Sequence, residues 1–130
     1  LVGFSFTLCL SFQDKFGRTV CYICARRHNP KVREVESGLR VMIWFMDYLW
    51  NATKDTYDKK FVVLFNFRGF GMRNSDIPIV RAFLPVLQNY YPEVVGRIIL
   101  VEYPMIIWGI WKVVRPLMVR MFERIFLFPF

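Results

Sequence analysis

The sequence predicts an α/β domain whose sheet is mainly parallel and flanked by helices. Three observations point there. Short runs dense in Val, Ile, Leu, Phe and Tyr recur at 19–25, 61–67, 97–103 and 125–128, each bounded by Gly, Pro or charged residues. The segments between them carry apolar residues at three- and four-residue spacing, the period of a helix with one buried face. The run at 61–67 shows no apolar–polar alternation, the pattern of a strand in a sheet covered on both faces. Strand alternating with helix in this way builds a parallel sheet through crossover connections.

Each element follows from its residues. Residues 1–12 are apolar but fall short of the roughly 20 that a spanning helix needs. They carry neither a basic leader nor a small-residue cleavage site, and read as a strand or as residue from an imperfect gene boundary. Asp14-Lys15-Phe16-Gly17-Arg18 is a polar turn into the strand at 19–25, and Asn29-Pro30 lies in a loop. Val35, Leu39, Met42, Met46 and Leu49 mark a helix over 34–50, followed by a charged connector at 51–60. After 61–67, Arg68-Gly69-Phe70-Gly71 breaks the strand. Ser75 or Asp76 can cap the next helix, with Pro78 in its first turn. Its stripe is Ile77, Val80, Leu84, Leu87 and Tyr91; Pro85 is expected to kink it, and Gly96 to turn the chain. The strand at 97–103 stops at Pro104. Residues 105–114 are apolar almost all round, Arg115-Pro116 ends or bends them, and an amphipathic stretch at 117–124 leads into 125–128.

At 130 residues the chain has room for one domain with a real core. Hydrophobic residues make up 55% and aromatics 18%, with 14 Phe, which is more apolar surface than a small core absorbs. Part of it is expected to line a cavity, face a membrane or meet another part of the same protein. Opening on Leu1, the chain is expected to be a piece of a longer one. Its net charge of +8 comes from 18 Lys+Arg against 10 Asp+Glu and favours an anionic partner, nucleic acid or a membrane surface. Nucleic acid fits poorly, because there is no Lys/Arg run, zinc-finger spacing or aromatic-glycine RNA signature. No stretch reaches spanning length without a charge or Pro, so a cytoplasmic protein peripherally associated with an anionic membrane is expected. Cys9, Cys21 and Cys24 cannot all pair internally, in keeping with a reducing compartment.

No enzymatic chemistry is apparent. In Cys21-x-x-Cys24 the two side chains of a strand point to opposite faces, and no fourth ligand follows at finger spacing. His28 sits in a loop with no nucleophile motif nearby, and Gly69-Phe70-Gly71 lacks the third Gly of a dinucleotide fingerprint. We expect no catalytic residues, no metal site and no cofactor.

One constellation is specific. Gln88-Asn89-Tyr90-Tyr91-Pro92-Glu93, followed by Gly96-Arg97-Ile98-Ile99-Leu100-Val101, resembles the helix-into-strand passage of the CRAL-TRIO family of phosphatidylinositol-transfer and retinaldehyde-binding proteins. Gly17-Arg18-Thr19-Val20 is similar to the start of that family's first strand. Asn66-Phe67-Arg68-Gly69 stands where the family has an Asp-x-Lys/Ser-Gly turn, and Glu102-Tyr103-Pro104 where it has Asn-Ala-Pro. Trp111-Lys112-Val113-Val114-Arg115-Pro116-Leu117 is similar to its Phe-Lys-x-x-Lys-Pro-Phe block. The resemblance implies a partial CRAL-TRIO domain at 14–130, truncated at both ends, after an apolar segment at 1–13.

The resemblance further implies an apolar lipid slot floored by the sheet and closed by a gate helix at 105–114. Phe65, Phe67 and Leu100 on the strands and Met105, Ile107, Trp108, Trp111 and Val114 on the gate are the expected lipid contacts. Arg115 falls at the family's headgroup Lys, and Lys112, Arg120 and Arg124 lie with it at the basic end of the gate. The acidic headgroup partner falls at Ala82, and the hydroxyl residues that meet a choline-lipid phosphate fall at Phe61 and Val63. The expected function is binding of a phospholipid or other hydrophobic ligand and its exchange or presentation at membranes. The alternative is a non-exchanging membrane-targeting or protein-interaction module of a multidomain protein.

Overall fold

The apolar runs become neighbouring strands of one sheet. In the computed structural model, which describes residues 8–32, 34–118 and 126–128, the elements are β1 (Leu8–Gln13), β2 (Thr19–Cys24), α1 (Val35–Thr53), β3 (Phe61–Asn66), α2 (Ile77–Tyr90), β4 (Val95–Val101), α3 (Ile106–Val114) and β5 (Phe126–Leu127). Strand order follows chain order, β1-β2-β3-β4-β5. The β1–β2 hairpin is antiparallel, and β2, β3, β4 and β5 run parallel. This is the mainly parallel α/β sheet that the alternation of elements predicts.

Parallel neighbours require crossovers, and right-handed crossovers between successive strands place their helices on one face. Accordingly α1 packs on α2 and α2 on α3. Inward-facing Cys21, Phe61, Val63, Ile98 and Leu100 share a core with Met46, Leu49, Leu84, Leu87, Ile107 and Val114 of the helices. Among the described residues the helices lie on one face, where the run at 61–67 predicts cover on both. On the other, Val20 and Val62 are buried, while Tyr22, Leu64, Ile99 and Val101 are half-buried.

Several boundaries differ from the sequence reading. α1 runs on to Thr53, whose fully buried hydroxyl donates to the Leu49 carbonyl at 2.9 Å. Ala25 leaves the first strand to begin a 3-10 turn. Gly96 does not turn the chain; it lies inside β4, where Phe61 pairs with Val95 and Val62 with Arg97. That extra residue is a bulge, and it lets Val95 and Ile98, three apart, face the same core. A side chain at 96 would stand 3.2 Å from the Arg18 guanidinium, which is itself 2.6 Å from Asp58. α2 continues through Pro85, with Asp76 as its N-cap accepting the Ile79 N–H at 3.2 Å. Of the last predicted strand, residue 125 lies outside the described residues, as does 119–124 of the amphipathic stretch.

The turn after β3 depends on Gly69, whose φ is 76°. A Cβ there would also meet Arg26 Cδ at 3.3 Å. We expect Gly69→Ala to cost about 1–2 kcal/mol, the penalty of the left-handed region for a residue with a Cβ. A shift of the denaturation midpoint with unchanged slope checks this.

Candidate functional site

Between the sheet and the three helices the core does not close. A cavity of about 290 Å³ opens there. Its floor is laid by the residues that strand alternation points to the helix side: Cys21 and Ile23 on β2, Phe61, Val63 and Phe65 on β3, and Ile98 and Leu100 on β4. Burial pushes the Cys21 thiol up to about 12, so it stays neutral and adds no charge to the floor. Phe67 stacks on Phe65 at 5.7 Å and meets Phe70 edge-on at 5.1 Å. The walls are Met42, Phe45, Met46 and Leu49 of α1 and Val80, Phe83, Leu84 and Leu87 of α2.

α3 closes the slot and divides into two faces by its period. Ile107, Ile110, Trp111 and Val114 line the cavity. Met105, Trp108, Lys112 and Arg115 look outward, with Met105 86% and Trp108 42% exposed. The helix begins after a tight turn in which Glu102 takes φ 52°, a conformation that Asn tolerates better than Glu.

Aromatic rings hold α3 against the sheet edge. Phe128 lies 4.9 Å from both Trp108 and Trp111 and 5.3 Å from Tyr103, while Trp111 also sits 5.1 Å from Phe126. At the other end of the helix the Gln88 side chain donates to the Leu117 carbonyl at 3.0 Å. That bond ties the turn at Arg115–Leu117 to the C-terminal end of α2.

Six of the sequence-predicted contacts thus come together on the cavity: Phe65, Phe67, Leu100, Ile107, Trp111 and Val114. Met105 and Trp108 stand on the outer face. Lys112 and Arg115 are exposed and do not line the cavity; Arg120 and Arg124 lie outside the described residues. Phe61 and Val63 are floor residues with no hydroxyl to offer, and Ala82 is half-buried on α2. Sequence reasoning missed the far end of the slot, where His28, Asn74 and Asp76 are lining residues. It read His28 as an isolated loop residue and Asp76 only as a cap. No helix among the described residues is long and apolar enough to cross a membrane.

The CRAL/TRIO domain family model matches residues 4–128, nearly the whole chain. The chain belongs to the CRAL/TRIO domain family. A CRAL-TRIO domain-containing protein of Schizosaccharomyces pombe is 31% identical over 103 residues, covering 79% of this chain and 23% of that protein. A second from the same organism is 25% identical over 108 residues, covering 78% of this chain and 30% of that protein. A phosphatidylinositol transfer protein of Eremothecium gossypii is 24% identical over 102 residues, covering 78% and 23%. The chain therefore spans about a quarter of the length of these relatives. Family membership accounts for the parallel sheet, and supports hydrophobic ligand binding at the level of the family.

Proposed function

We propose that this CRAL/TRIO domain takes up one hydrophobic ligand, a phospholipid, in the slot under α3 and exchanges or presents it at an anionic membrane surface. The domain works as a cytoplasmic, peripherally bound carrier rather than as an enzyme. The observation that carries this reading is α3 itself, a helix apolar toward the cavity that also exposes Met105, Trp108 and Val113 toward the outside, with Lys112 and Arg115 at its C-terminal end. Such a helix can leave its slot for the bilayer interface without exposing either face to water for long. Each methylene buried in the slot contributes about 0.8 kcal/mol.

Taking up a phospholipid between α3 and the sheet would move α3 outward. The ring cluster on Phe128 and the Gln88–Leu117 bond are the contacts such a movement would break. Lys112 and Arg115, both exposed, would meet lipid phosphates at the membrane.

Vesicle-to-vesicle transfer by the full-length protein, with native mass spectrometry for retained lipid, tests the reading. A retained lipid and measurable transfer support it; an empty domain that instead captures a partner protein favours an interaction module. That second reading draws on the short share of its relatives that the chain covers. Arg115→Ala is expected to lower transfer of an anionic phospholipid such as phosphatidylinositol about fivefold, since one cation near an anionic surface is worth about 1 kcal/mol. Uptake of a neutral apolar ligand is expected to be unchanged. Equal loss for both ligands would assign Arg115 a structural role only.

A further inference from the structure

The connections from strand to helix share one end of the sheet, because β2, β3 and β4 run parallel and finish side by side at a spacing of about 4.8 Å. Two of these connections are rich in arginine. Ala25–Arg27 forms a turn after β2, and Met72–Asn74 forms another before α2. Arg26, Arg27, Arg68 and Arg73 are all exposed there. Met72, beside Arg73, is 75% exposed, and the third connection ends on the exposed Met105 at the start of α3.

The fold holds these cations together. Asn74, buried, donates from Nδ2 to the carbonyls of Arg26 and His28, both at 2.8 Å, and accepts the Gly71 N–H at 3.0 Å. It thereby clamps the turn after β2 to the turn before α2. The Arg26 side chain lies across Gly69, where a Cβ would stand 3.3 Å from its Cδ and 3.9 Å from its guanidinium, and so runs beside the neighbour of Arg68. Among the described residues, none of Arg26, Arg68 and Arg73 makes a salt bridge. Asp76, on the same connection as Arg68 and Arg73, is taken by His28 at 2.8 Å. The other described carboxylates of these connections, Glu34 and Glu102, are exposed beside α1 and α3. Like charges gathered without a salt bridge repel one another, and an arriving anion relieves that repulsion.

We infer that this arginine rim is a docking surface for an anionic bilayer, separate from the cavity and from the basic C-terminal end of α3. The inference rests on the membrane reading above and adds the place where the domain makes its first, electrostatic contact. Each guanidinium offers a planar fork of donors that matches phosphate oxygens. Met72 and Met105 supply apolar tips that enter the headgroup boundary while the arginines stay at the level of the phosphates. An acidic protein segment would pair with the arginines alone and leave both exposed methionines without a role. Because Met105 also begins α3, docking at the rim brings the N-terminal end of that helix to the bilayer.

The test is partition of the full-length protein onto phosphatidylcholine vesicles with and without phosphatidylserine, beside native mass spectrometry for retained lipid. One variant combines Arg26→Gln, Arg68→Gln and Arg73→Gln. Its control combines Lys15→Gln, Lys54→Gln and Lys59→Gln, exposed lysines at the opposite end of the sheet, and removes the same charge. The rim variant is expected to lose on the order of a hundredfold in partition onto the anionic vesicles, about fivefold for each cation. The control is expected to lose no more than a few-fold, and the corresponding Arg→Lys triple to recover most of the binding. Thermal melts check folding; should the rim triple melt early, the single Arg→Gln exchanges carry the test, about fivefold each against little for the lysines. Equal losses in rim and control variants would show that net charge alone drives binding and overturn the inference. So would unchanged partition of the rim variant. Either result with lipid still retained leaves the carrier reading standing, whereas rim-dependent partition by a protein that retains no lipid supports the rim and removes the carrier.

Discussion

Replacing Phe61 with Ala is expected to remove about 3–5 kcal/mol of folding stability. Phe61 is fully buried at the start of the central strand, paired with Thr19 on one side and Val95 on the other. Its N–H donates to the Val94 carbonyl at 3.0 Å, so the backbone holds the position and cannot collapse to fill the space a ring leaves. The ring also floors the slot, and the hole its loss creates joins an existing cavity instead of being repacked. Domains of this size are stable by about 5–15 kcal/mol, so the variant is expected to fold poorly at ambient temperature. Urea denaturation measures it, with Phe16→Ala as the contrast. Phe16 is 62% exposed, with its ring beneath the cations of Lys15 and Arg18, and its removal is expected to stay within about 1 kcal/mol. A loss below about 1 kcal/mol for Phe61→Ala would show that the ring is not the support described here.

Phe61 also shows what the sequence makes legible. A strand buried in a parallel sheet is apolar at consecutive positions, so its existence is written in composition alone, and β2, β3 and β4 all follow. Family membership was legible too, in the passage from Gln88 to Val101. Harder to read were features set by tertiary contact. Gly96 reads as a turn because nothing local distinguishes a strand bulge that clears Arg18 from a chain reversal. α1 ends at Thr53 rather than Trp50, with the threonine buried in the tertiary fold. Met105 and Trp108 read as slot residues because a helix apolar on every side does not announce which face turns inward. His28 and Asp76 are 48 residues apart, and no local pattern pairs them; only the parallel sheet brings the ends of β2 and β3 together.

The two tryptophans of α3 divide the proposed mechanism into parts that can be tested separately. Trp108→Asp is expected to lower vesicle binding and phospholipid transfer by on the order of tenfold or more, because a half-exposed indole suited to the bilayer interface becomes a charge that resists entering it. Stability should fall only modestly, by about 1 kcal/mol, from the lost stack on Phe128. Trp111→Asp is expected to act from within. It places a carboxylate on the apolar lining and removes the ring between Phe126 and Phe128, so the retained lipid and the fold should both weaken. Trp108→Phe is expected to keep most of the transfer rate, since an aromatic side chain remains for both the interface and Phe128. Thermal melts and vesicle transfer on the same preparations separate the effects. For the double variant, transfer should be lost in excess of what the drop in folded fraction explains. Normal transfer with both Asp substitutions present would exclude α3 as the gate. The slot would then have to load from its other end, past His28 and Asp76.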